Sequence, residues 1–532
     1  MIKLLSILSF IGFSTLSIAQ IDSAKIATTQ KFDEVLTYVN QLYVDDVEAK
    51  ELTDAAIVAM LEKLDPHSTF ISAEDVADAN QQINGNFVGI GIRFQILRDT
   101  LMVVATIPGG PSEKLGLQAG DKILSIGEEN VAGIGLKNSG VKERLLGDRG
   151  TKVMVEVKRK RTKRPIDFVI TRDLIPVNSV DAAYLVTTTT GYIKLNSFSR
   201  SSKKEVQDAL RDLRAQGMEN LIFDLQGNGG GLLYAAKYLA DEFLSEDKLI
   251  VYSEGRSQPR LDLRAGKKGL WEDGRLVMLT NEYSASASEI LSGAIQDWDR
   301  GLIVGRRTYG KGLVQRPIDL TDGSQIRLTI ARYFTPSGRF IQKPYDDLED
   351  YRNDLVNRYE NGEFTNLDSI QFPDSLKFET LIEKRTVYGG GGIMPDYFVS
   401  LDTSETSDYY SDLNRAGIFN SFSLTYVDDN RDNLLKNYPT FDTFNSEFEI
   451  TDKILKKFLK YSSQEDEELE FSEEDYETSL NLIKLRLKSM FAQDLWGYSE
   501  FYQVYNDSNE ILQKAIELIE SENYNAALKE QN

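Results

Sequence analysis

The sequence predicts an α/β protein that carries an inserted, mostly β domain, N-terminal helices and a mainly helical C-terminal extension. Three observations predict this order. Residues 176–400 alternate buried apolar strands with helical stretches. Residues 86–175 contain several short strands that are separated by glycine-containing turns. Residues 26–82 and 401–532 instead carry apolar side chains at helical spacing.

The N-terminus is typical of an export signal. Lys3 gives a short positive region, residues 4–16 are apolar, and Ser17-Ile18-Ala19 suits a small-x-small cleavage site. We therefore expect residues 1–19 to be a signal peptide and the protein to be periplasmic, with a helical region at residues 20–85. An uncleaved anchor is the alternative, but the apolar stretch is short for a membrane span. We expect no stable membrane span elsewhere in the chain.

The composition limits both the partners and the chemistry. The chain has 61 basic and 83 acidic side chains, which gives a formal net charge of −22. Such a chain repels polyanions, so we expect neither nucleic acid nor an anionic membrane as a partner. There is no cysteine and one histidine, His67. A cysteine nucleophile is excluded, a zinc site is disfavoured, and we expect no metal and no other cofactor.

The segment 86–175 is predicted to contain short strands and two helices after a glycine-rich entry loop at Gly89-Ile90-Gly91-Ile92. Such a loop can present main-chain N–H groups to a carboxylate while an extended peptide joins the adjacent sheet edge. The predicted elements that follow are a strand at 101–106, a helix at 111–117, a strand at 121–126, a helix at 140–146 and a hairpin of 152–157 with 166–170.

The segment 176–400 predicts strand-to-helix turns at two places. The strand Leu221–Leu225 runs into Asn228-Gly229-Gly230-Gly231 and then a helix, and the strand Leu276–Thr280 precedes a helix from about Ser284 to Trp298. The glycine turn is either a permissive bend or a set of N–H donors for an oxyanion. In the extension, a helical stripe is formed by Leu480, Ile483, Leu487 and Met490.

Ser286 is the strongest candidate nucleophile. Ser284 and Ser288 are four residues apart and share a helix face, whereas Ser286 points elsewhere. A serine at a strand–turn–helix junction can be exposed at the end of a sheet, and the helix N-terminus stabilises developing negative charge. The alternative is structural, because Ser286 and Glu289 have the spacing of a helix capping box.

Lys311 is the residue that could activate a serine in a chain with one histidine. A lysine acts as a general base when it is neutral, which requires that burial lower its pKa. Gln315, four residues later, can hydrogen-bond to Lys311. The run from Gly305 to Lys311 also fits the start of a nucleotide-binding P-loop, but Gly312 stands where a serine or threonine should bind Mg²⁺.

Asp297 and His67 are less suited to this chemistry. Asp297 lies eleven residues after Ser286 in the sequence, which in a straight helix is about 16 Å along the axis. We therefore expect Asp297 to be a structural carboxylate unless the helix breaks. His67 follows Asp65-Pro66 in a predicted turn, and a serine–lysine pair needs no imidazole.

The motifs together resemble those of the C-terminal processing peptidases, or tail-specific proteases, and the resemblance covers roughly residues 30–400. The matching stretches are Leu64–Ser68, Gly89–Ile92, Asp224-Leu225, Asn228–Gly231, Ser284–Glu289, Thr308–Gly312, Val314-Gln315 and Gly391–Asp396. The resemblance implies a PDZ domain at 86–175 that is inserted before a crotonase-like peptidase core at 176–400. The acidic extension 401–532 lies outside the shared part.

The resemblance also implies roles for individual residues. Ser286 matches the family's nucleophile, Lys311 its general base and Gln315 the glutamine that assists the lysine. Asp297 matches an aspartate that is sometimes assigned to the site. Gln226 departs from the pattern, because the family usually has arginine at this position. The oxyanion-hole positions are matched by Gly230, Gly231 and Ala287, and the peptide-binding loop by Gly89, Ile90, Gly91 and Ile92.

These observations predict an exported serine endopeptidase that recognises and cleaves proteins with unstructured C-terminal tails. Its partners would be protein or peptide substrates with free C-termini, and the extension leaves room for an adaptor or activator and for an oligomer. The alternative is a non-catalytic PDZ adaptor built on an inactive peptidase core. An adaptor of that kind would have a broken Ser–Lys pair, whereas both residues are present here.

Overall fold

The computed structural model describes residues 23–160, 162–266, 268–465 and 469–529. The predicted signal peptide, residues 1–19, lies outside the described residues. The chain forms two compact units that part between Phe70 and Ile71. Within the described ranges, no helix is both long enough and apolar enough to cross a membrane.

The first unit consists of two helices and a turn. Its elements are α1 (Ser23–Leu42) and α2 (Ala49–Glu62), and β1 (Thr69–Ile71) begins at its end. After α2 the chain turns at Asp65, whose Oδ1 accepts the main-chain N–H groups of His67 and Ser68, both at 2.8 Å. The histidine is therefore placed in the turn that the sequence predicts after Asp65-Pro66.

The second unit begins with a short helix and a β domain. Six of the strands form one sheet in the order β3-β4-β5-β7-β8 with β6 on β5, while β2 pairs with β9. In the described part of the chain, β3 pairs only with β4, so its other side is a sheet edge. The elements are α3 (Val76–Asn84), β2 (Asn86–Gly89), β3 (Ile92–Leu97), β4 (Thr100–Thr106), α4 (Pro111–Leu115), β5 (Lys122–Ile126), β6 (Glu129–Asn130), α5 (Asn138–Leu145), β7 (Lys152–Lys158), β8 (Ile166–Thr171) and β9 (Asp173–Pro176).

The α/β core follows. Its elements are β10 (Val180–Leu185), β11 (Thr190–Leu195), α6 (Ser202–Ala215), β12 (Asn220–Asp224), α7 (Leu233–Ala240), β13 (Leu249–Gly255), β14 (Gln258–Arg264), β15 (Arg275–Thr280), α8 (Ala287–Asp297), β16 (Leu302–Gly305), β17 (Leu313–Asp319), β18 (Gln325–Phe334), α9 (Leu348–Glu360), β19 (Lys377–Glu379), β20 (Thr386–Tyr388) and β21 (Tyr397–Phe398). The main sheet has the order β10-β11-β12-β15-β16-β21.

The main sheet is parallel from β11 to β21, and β10 runs antiparallel at its edge. Helices α6, α7 and α8 cover one face, where fully buried apolar side chains from both layers form the largest core. A second, antiparallel sheet joins β14, β13, β18 and β17. The two candidate catalytic residues lie just before two of these elements. Ser286 directly precedes α8, and Lys311 lies shortly before β17.

The extension is helical, as predicted. Its helices are α10 (Asp408–Arg415), α11 (Ile418–Asn437), α12 (Phe441–Glu447), α13 (Asp452–Glu465), α14 (Glu473–Thr478), α15 (Leu480–Leu495), α16 (Tyr498–Tyr505), α17 (Glu510–Glu520) and α18 (Tyr524–Ala527). The earlier helices share an aromatic core that includes Phe444, Phe458 and Phe491. Helix α17 instead packs Ile511, Leu512 and other apolar residues on the outer face of the main sheet.

The predicted fold class is confirmed: an α/β core, an inserted mostly β domain and helical regions at both ends. One element starts later than expected. Helix α8 begins at Ala287 rather than near Ser284, because the Ser284 hydroxyl donates to the carbonyl of Leu225 at 2.8 Å and holds the preceding residues in a turn. The domain limits given above stay predictions.

Candidate active site

Ser286 lies at the junction of β15 and α8 in a strained conformation. Its φ is 56° and its ψ is −110°, which places a non-glycine residue outside the common regions. The neighbouring serines are buried and serve the structure: Ser284 donates to Leu225, and Ser288 donates to the Asn228 carbonyl at 2.8 Å. Ser286 is half-buried. The three serines of the segment therefore differ in accessibility, and Ser286 is the one at a sharp, strained turn.

Glu289 joins the serine turn to the lysine loop. Its Oε2 accepts the main-chain N–H groups of Ser286 at 2.8 Å and of Lys311 at 2.9 Å. Its Oε1 accepts the Thr308 hydroxyl at 2.5 Å and the Gly310 N–H at 2.7 Å. All four partners donate, so the group acts as an ionised carboxylate. Burial raises the pKa of Glu289, and these four hydrogen bonds oppose the rise.

Tyr333 joins the same two segments from their carbonyl side. Its hydroxyl lies 3.1 Å from the Ser286 carbonyl oxygen and donates to the Lys311 carbonyl oxygen. The side chain is 1% exposed, and burial raises the pKa of the phenol well above its ordinary value. Tyr333 is therefore a neutral donor at neutral pH. Glu289 and Tyr333 hold the main chains of Ser286 and Lys311 within two hydrogen-bond lengths of each other.

Lys311 and Gln315 are paired. The Lys311 Nζ donates to Oε1 of Gln315 at 3.0 Å, and both side chains are half-buried. A β-bulge between Val314 and Gln315 shifts the register of β17. Bulges re-aim side chains, and this one lies where Gln315 reaches back to the lysine. The structure thus brings together Ser286, Lys311 and Gln315 in one place.

The glycine turn after β12 packs against the serine. A side chain on Gly230 would come 2.9 Å from Cβ of Ser286 and 2.7 Å from the Ala285 carbonyl, and φ of Gly230 is 100°. The Gly230 N–H donates to Oδ1 of Asn228 at 2.8 Å. In this structure the Gly230 N–H is therefore engaged with Asn228, and a role of Gly230 in an oxyanion hole stays a prediction. Glycine is needed here for the close approach of the two loops.

Gly231 and Ala287 remain as donor candidates. The Gly230 carbonyl accepts the Phe198 N–H at 2.9 Å. The N–H of Gly231 belongs to the same trans peptide and points the opposite way. Ala287 is the first residue of α8, and the first N–H groups of a helix have no partner inside the helix. Both N–H groups belong to segments that border Ser286.

Family models match three parts of the chain. "Peptidase family S41" matches residues 189–348, "PDZ domain" matches residues 102–159, and a "Family of unknown function (DUF8443)" matches residues 409–497. The first match contains Ser286 and Lys311, the second lies in the β domain, and the third lies in the helical extension.

Curated relatives agree with these matches. The carboxy-terminal-processing protease of Bartonella bacilliformis is 35% identical over 319 residues, which cover 59% of this chain and 72% of that protein. The carboxyl-terminal-processing protease of Synechocystis is 37% identical over 301 residues, which cover 55% of this chain and 69% of that protein. The chain belongs to the carboxy-terminal processing proteases. As a member of this family it is a serine peptidase with a PDZ domain.

A solved structure described as photosystem II D1 C-terminal processing protease is 29% identical to the chain. It covers 60% of this chain and 90% of its own, with a TM-score of 0.33. The PDZ domain of a carboxy-terminal protease from Vibrio cholerae, solved with a peptide, is also 29% identical; it covers 17% of this chain and 97% of its own, with a TM-score of 0.16.

In this carboxy-terminal processing protease, Asp297 stands apart from the serine and the lysine. Helix α8 runs unbroken from Ala287 to Asp297, so Asp297 lies at the opposite end of the helix from Ser286. Its carboxylate accepts from the guanidinium of Arg339 at 2.5 Å and from the Ser337 N–H at 2.8 Å. Asp297 and Arg339 are both fully buried. The structure does not bring Asp297 to Lys311, and the role of Asp297 stays a prediction.

Gln226, where the family usually has arginine, borders a buried ion pair. The Lys194 Nζ lies 3.1 Å from Oδ1 of Asp224 and donates to the Gln226 carbonyl. The Tyr192 hydroxyl donates to Asp224 Oδ2 at 2.6 Å. Lys194 is 5% exposed and Asp224 is 1% exposed. In this protease, a lysine on β11 supplies the positive charge beside Asp224.

The entry loop of the PDZ domain has its carbonyl groups turned inward. The Ile90 carbonyl accepts the Ser112 hydroxyl at 2.6 Å, and the Gly91 carbonyl accepts the Ile107 N–H at 3.0 Å. In trans peptides the following N–H groups, those of Gly91 and Ile92, then point outward. Gly91 has a φ of 76° and little room for a side chain. Outward N–H groups next to the edge strand β3 suit a carboxylate.

Sequence reasoning missed three parts of the site. The sequence predicts Glu289 only as a cap of α8. Its contacts with Thr308, Gly310 and Lys311 are tertiary, so no local spacing predicts them. Tyr333 carries no motif signal. Lys194 had a usable signal, since a lysine within the apolar strand Tyr192–Leu195 predicts a buried partner.

Proposed function

We propose that the chain is an exported serine endopeptidase that cleaves proteins with unstructured C-terminal tails by a Ser–Lys acyl-enzyme mechanism. The observation that carries the proposal is the shared Glu289 oxygen that binds the main chains of both Ser286 and Lys311. This arrangement supports the proposal, because a strained, half-buried serine and a lysine share one anchor for their main chains. A serine–lysine pair is an established alternative to a serine–histidine pair.

In the proposed reaction, neutral Lys311 takes the proton of the Ser286 hydroxyl as Oγ attacks the scissile carbonyl carbon. The N–H groups of Ala287 and Gly231 stabilise the negative charge on the former carbonyl oxygen. Lys311 then returns the proton to the departing amine, which leaves an ester on Ser286. Water attacks the ester with Lys311 again as the base, and the serine is released. Gln315 keeps the Lys311 amine oriented through its Oε1.

Substrate selection is proposed to rest on the PDZ domain. The outward N–H groups of Gly91 and Ile92 bind the terminal carboxylate, and the last residues of the substrate extend β3 as an added strand. Such binding requires a free carboxylate and an unfolded tail. A bound tail tethers the substrate to the chain that also carries the catalytic core.

The catalytic proposal is tested by cleavage of an unfolded protein with a free apolar C-terminus. Wild type should cleave it, and Ser286→Ala and Lys311→Ala should each lose activity by at least about 1,000-fold, as is usual for removal of a nucleophile or its base. Exposed Ser257→Ala and Lys204→Ala serve as matched controls. Retained activity in Lys311→Ala would overturn the mechanism.

A fluorophosphonate probe separates the peptidase from the non-catalytic adaptor. Labelling of wild type but not of Ser286→Ala excludes the adaptor. A substrate with an amidated C-terminus tests tail recognition, because equal cleavage of amidated and free substrates would contradict it. Cleavage that appears only after another protein is added would indicate that the enzyme needs an activator.

The proposed export is tested separately. Mass spectrometry of the protein from a periplasmic fraction should find a mature chain that begins near Gln20. A chain that retains residues 1–19 in the membrane fraction would favour the uncleaved anchor.

A further inference from the structure

The helical extension contacts the edge strand of the PDZ domain. Along β3, Ile92, Phe94 and Ile96 pack on the PDZ core, so the alternating side chains of Arg93 and Gln95 project from the other face of the sheet. The extension meets these two side chains, and it does so with different helices.

Two contacts define this meeting. Nδ2 of Asn420, on α11, donates to Oε1 of Gln95 at 2.9 Å. The guanidinium of Arg93 lies 4.9 Å from the centre of the Tyr498 ring, on α16. A third contact joins the residues after β7 of the PDZ domain to α11, where Lys160 Nζ lies 3.1 Å from Oδ1 of Asp429. The extension therefore forms a wall beside the face of β3 that a PDZ domain standing alone would leave in solvent.

A cavity of about 570 Å³ lies where this wall meets the free edge of β3. Its lining comes from β3, from the start of α5 and from the extension: Phe94, Gln95, Ile96, Lys137, Asn138 and Asn420. Three of these side chains end in an amide and one, Lys137, is a cation. Residues from both faces of β3 line it, so the cavity wraps around the sheet edge.

We propose that the extension is part of the tail-binding site, and that Asn420 and Gln95 read every second side chain of the bound substrate. This inference rests on the proposed PDZ binding of tails. A peptide that extends β3 projects its side chains alternately to the two faces of the sheet. One set enters the PDZ groove, and the other set faces Asn420 and Gln95.

The cavity favours polar or acidic side chains in that second set. Amide groups can donate hydrogen bonds to a carboxylate, and Lys137 adds positive charge at the same opening. No acidic side chain lines the cavity among the described residues. The occupant is therefore the C-terminal segment of a substrate with an aspartate, glutamate or amide residue among its upstream alternate positions.

The test measures binding rather than cleavage and uses the full chain with Ser286→Ala. Ten-residue alanine-based peptides with a free apolar C-terminus are labelled at the N-terminus, and each is also made with an amidated C-terminus. Each of the last six positions is changed in turn to aspartate or lysine, and dissociation constants are measured by fluorescence polarisation. The same set is measured with Asn420→Ala, Gln95→Ala, Asn420→Asp and Asn414→Ala, where Asn414 is an exposed asparagine of α10 outside the cavity.

The parent should prefer aspartate over lysine at alternate positions by about 5-fold or more, as expected for a charge-assisted hydrogen bond. Asn420→Ala and Gln95→Ala should lose that preference, and Asn414→Ala should keep it. Asn420→Asp should reverse it towards lysine, a result that a damaged fold would not give. The dependence on the terminal residue should be the same in all variants.

Two results would overturn the inference, and they are distinguishable. In the first result, binding depends on the terminal residue, but the preference for aspartate over lysine at upstream positions is the same in all variants. The extension then does not read the tail, and PDZ recognition stands. If the parent binds free and amidated peptides equally, the proposed tail recognition itself fails and the inference fails with it.

Discussion

The main-chain N–H groups of Ser286 and Lys311 donate to one and the same oxygen atom, Oε2 of Glu289, at 2.8 and 2.9 Å. The relative position of the two residues is therefore set through their backbones and does not depend on a direct bond between their side chains. A buried carboxylate in this place acts as a positioning residue, because it touches neither substrate nor reacting atoms.

Glu289→Gln should lower kcat/KM by about 100-fold or more. The amide keeps the size of the carboxylate but turns an NH₂ group towards two of the four donors, and buried donors without an acceptor cost about 1–3 kcal/mol each. Steady-state kinetics on an unfolded substrate would measure the loss, and circular dichroism would check the fold. Exposed Glu246→Gln is the control. Unchanged kinetics in Glu289→Gln would show that the shared oxygen does not set the site.

Asp297→Asn should lower the free energy of unfolding and leave kcat nearly unchanged. The substitution leaves the buried guanidinium of Arg339 without its charged partner, and breaking a buried pair typically costs about 3–5 kcal/mol. Denaturant unfolding should show that loss, while kcat of the folded enzyme at low temperature stays within about 3-fold of wild type, because α8 separates Asp297 from Ser286 by about 16 Å. A collapse of kcat at unchanged stability would instead make Asp297 part of the site.

Lys194→Met and Gln226→Arg should compensate each other. Lys194→Met leaves the buried Asp224 carboxylate without a cation, which should lower the free energy of unfolding by about 3–5 kcal/mol. Adding Gln226→Arg restores a positive charge from the position where the family usually has it. A double-mutant cycle measured by denaturant unfolding should give a favourable coupling of at least about 1 kcal/mol. Additive losses would mean that Lys194 does not stand in for the arginine.

Asp494→Asn should change how stability depends on pH. Burial raises the pKa of Asp494 to about 6, and Ser423, Arg93 and Arg431 oppose the rise. The folded chain thus binds more protons than the unfolded chain between the ordinary pKa of 3.8 and about 6. Its free energy of unfolding therefore falls as pH rises through that window, by about 1–3 kcal/mol.

The asparagine variant has no such group to ionise, and its amide oxygen can still accept from Ser423. The melting temperature of Asp494→Asn relative to wild type should rise between pH 4 and pH 6 and then level off. Exposed Asp368→Asn should show no comparable trend. A constant difference across the pH range would contradict the raised pKa.

Local sequence signals predicted what depends on neighbours in the chain. Apolar spacing and glycine placement within short windows predicted the order of strands and helices, the turn at Ser286 and the loop at Lys311. The predicted capping partner of Ser286, Glu289, was the right residue with an incomplete role, since its other three donors come from a loop about twenty residues away. Tyr333 and Lys194 contact residues far away in the sequence. A lysine in an apolar strand predicts that a buried partner exists but does not identify it.

The oxyanion positions show the same limit at finer scale. Gly230 and Gly231 are adjacent in sequence, and a motif treats them alike. The side chain of Asn228 accepts the N–H of Gly230, whereas the Gly230 carbonyl accepts the Phe198 N–H, so that the N–H of Gly231 points the other way. These tertiary contacts distinguish the two N–H groups, and a sequence motif does not specify them. The roles assigned to the individual site residues stay predictions until the variants are measured.

The last helices, α17 and α18, seal the outer face of the main sheet, and the Tyr524 hydroxyl donates to the Leu276 carbonyl at 2.7 Å. Covering this face therefore brings strands of the α/β core together with helices that lie far from them in the sequence. The same docking keeps Tyr524 only 2% exposed. A chain that lacked α17 and α18 would expose the apolar outer face of the main sheet to water, so we expect such a chain to aggregate.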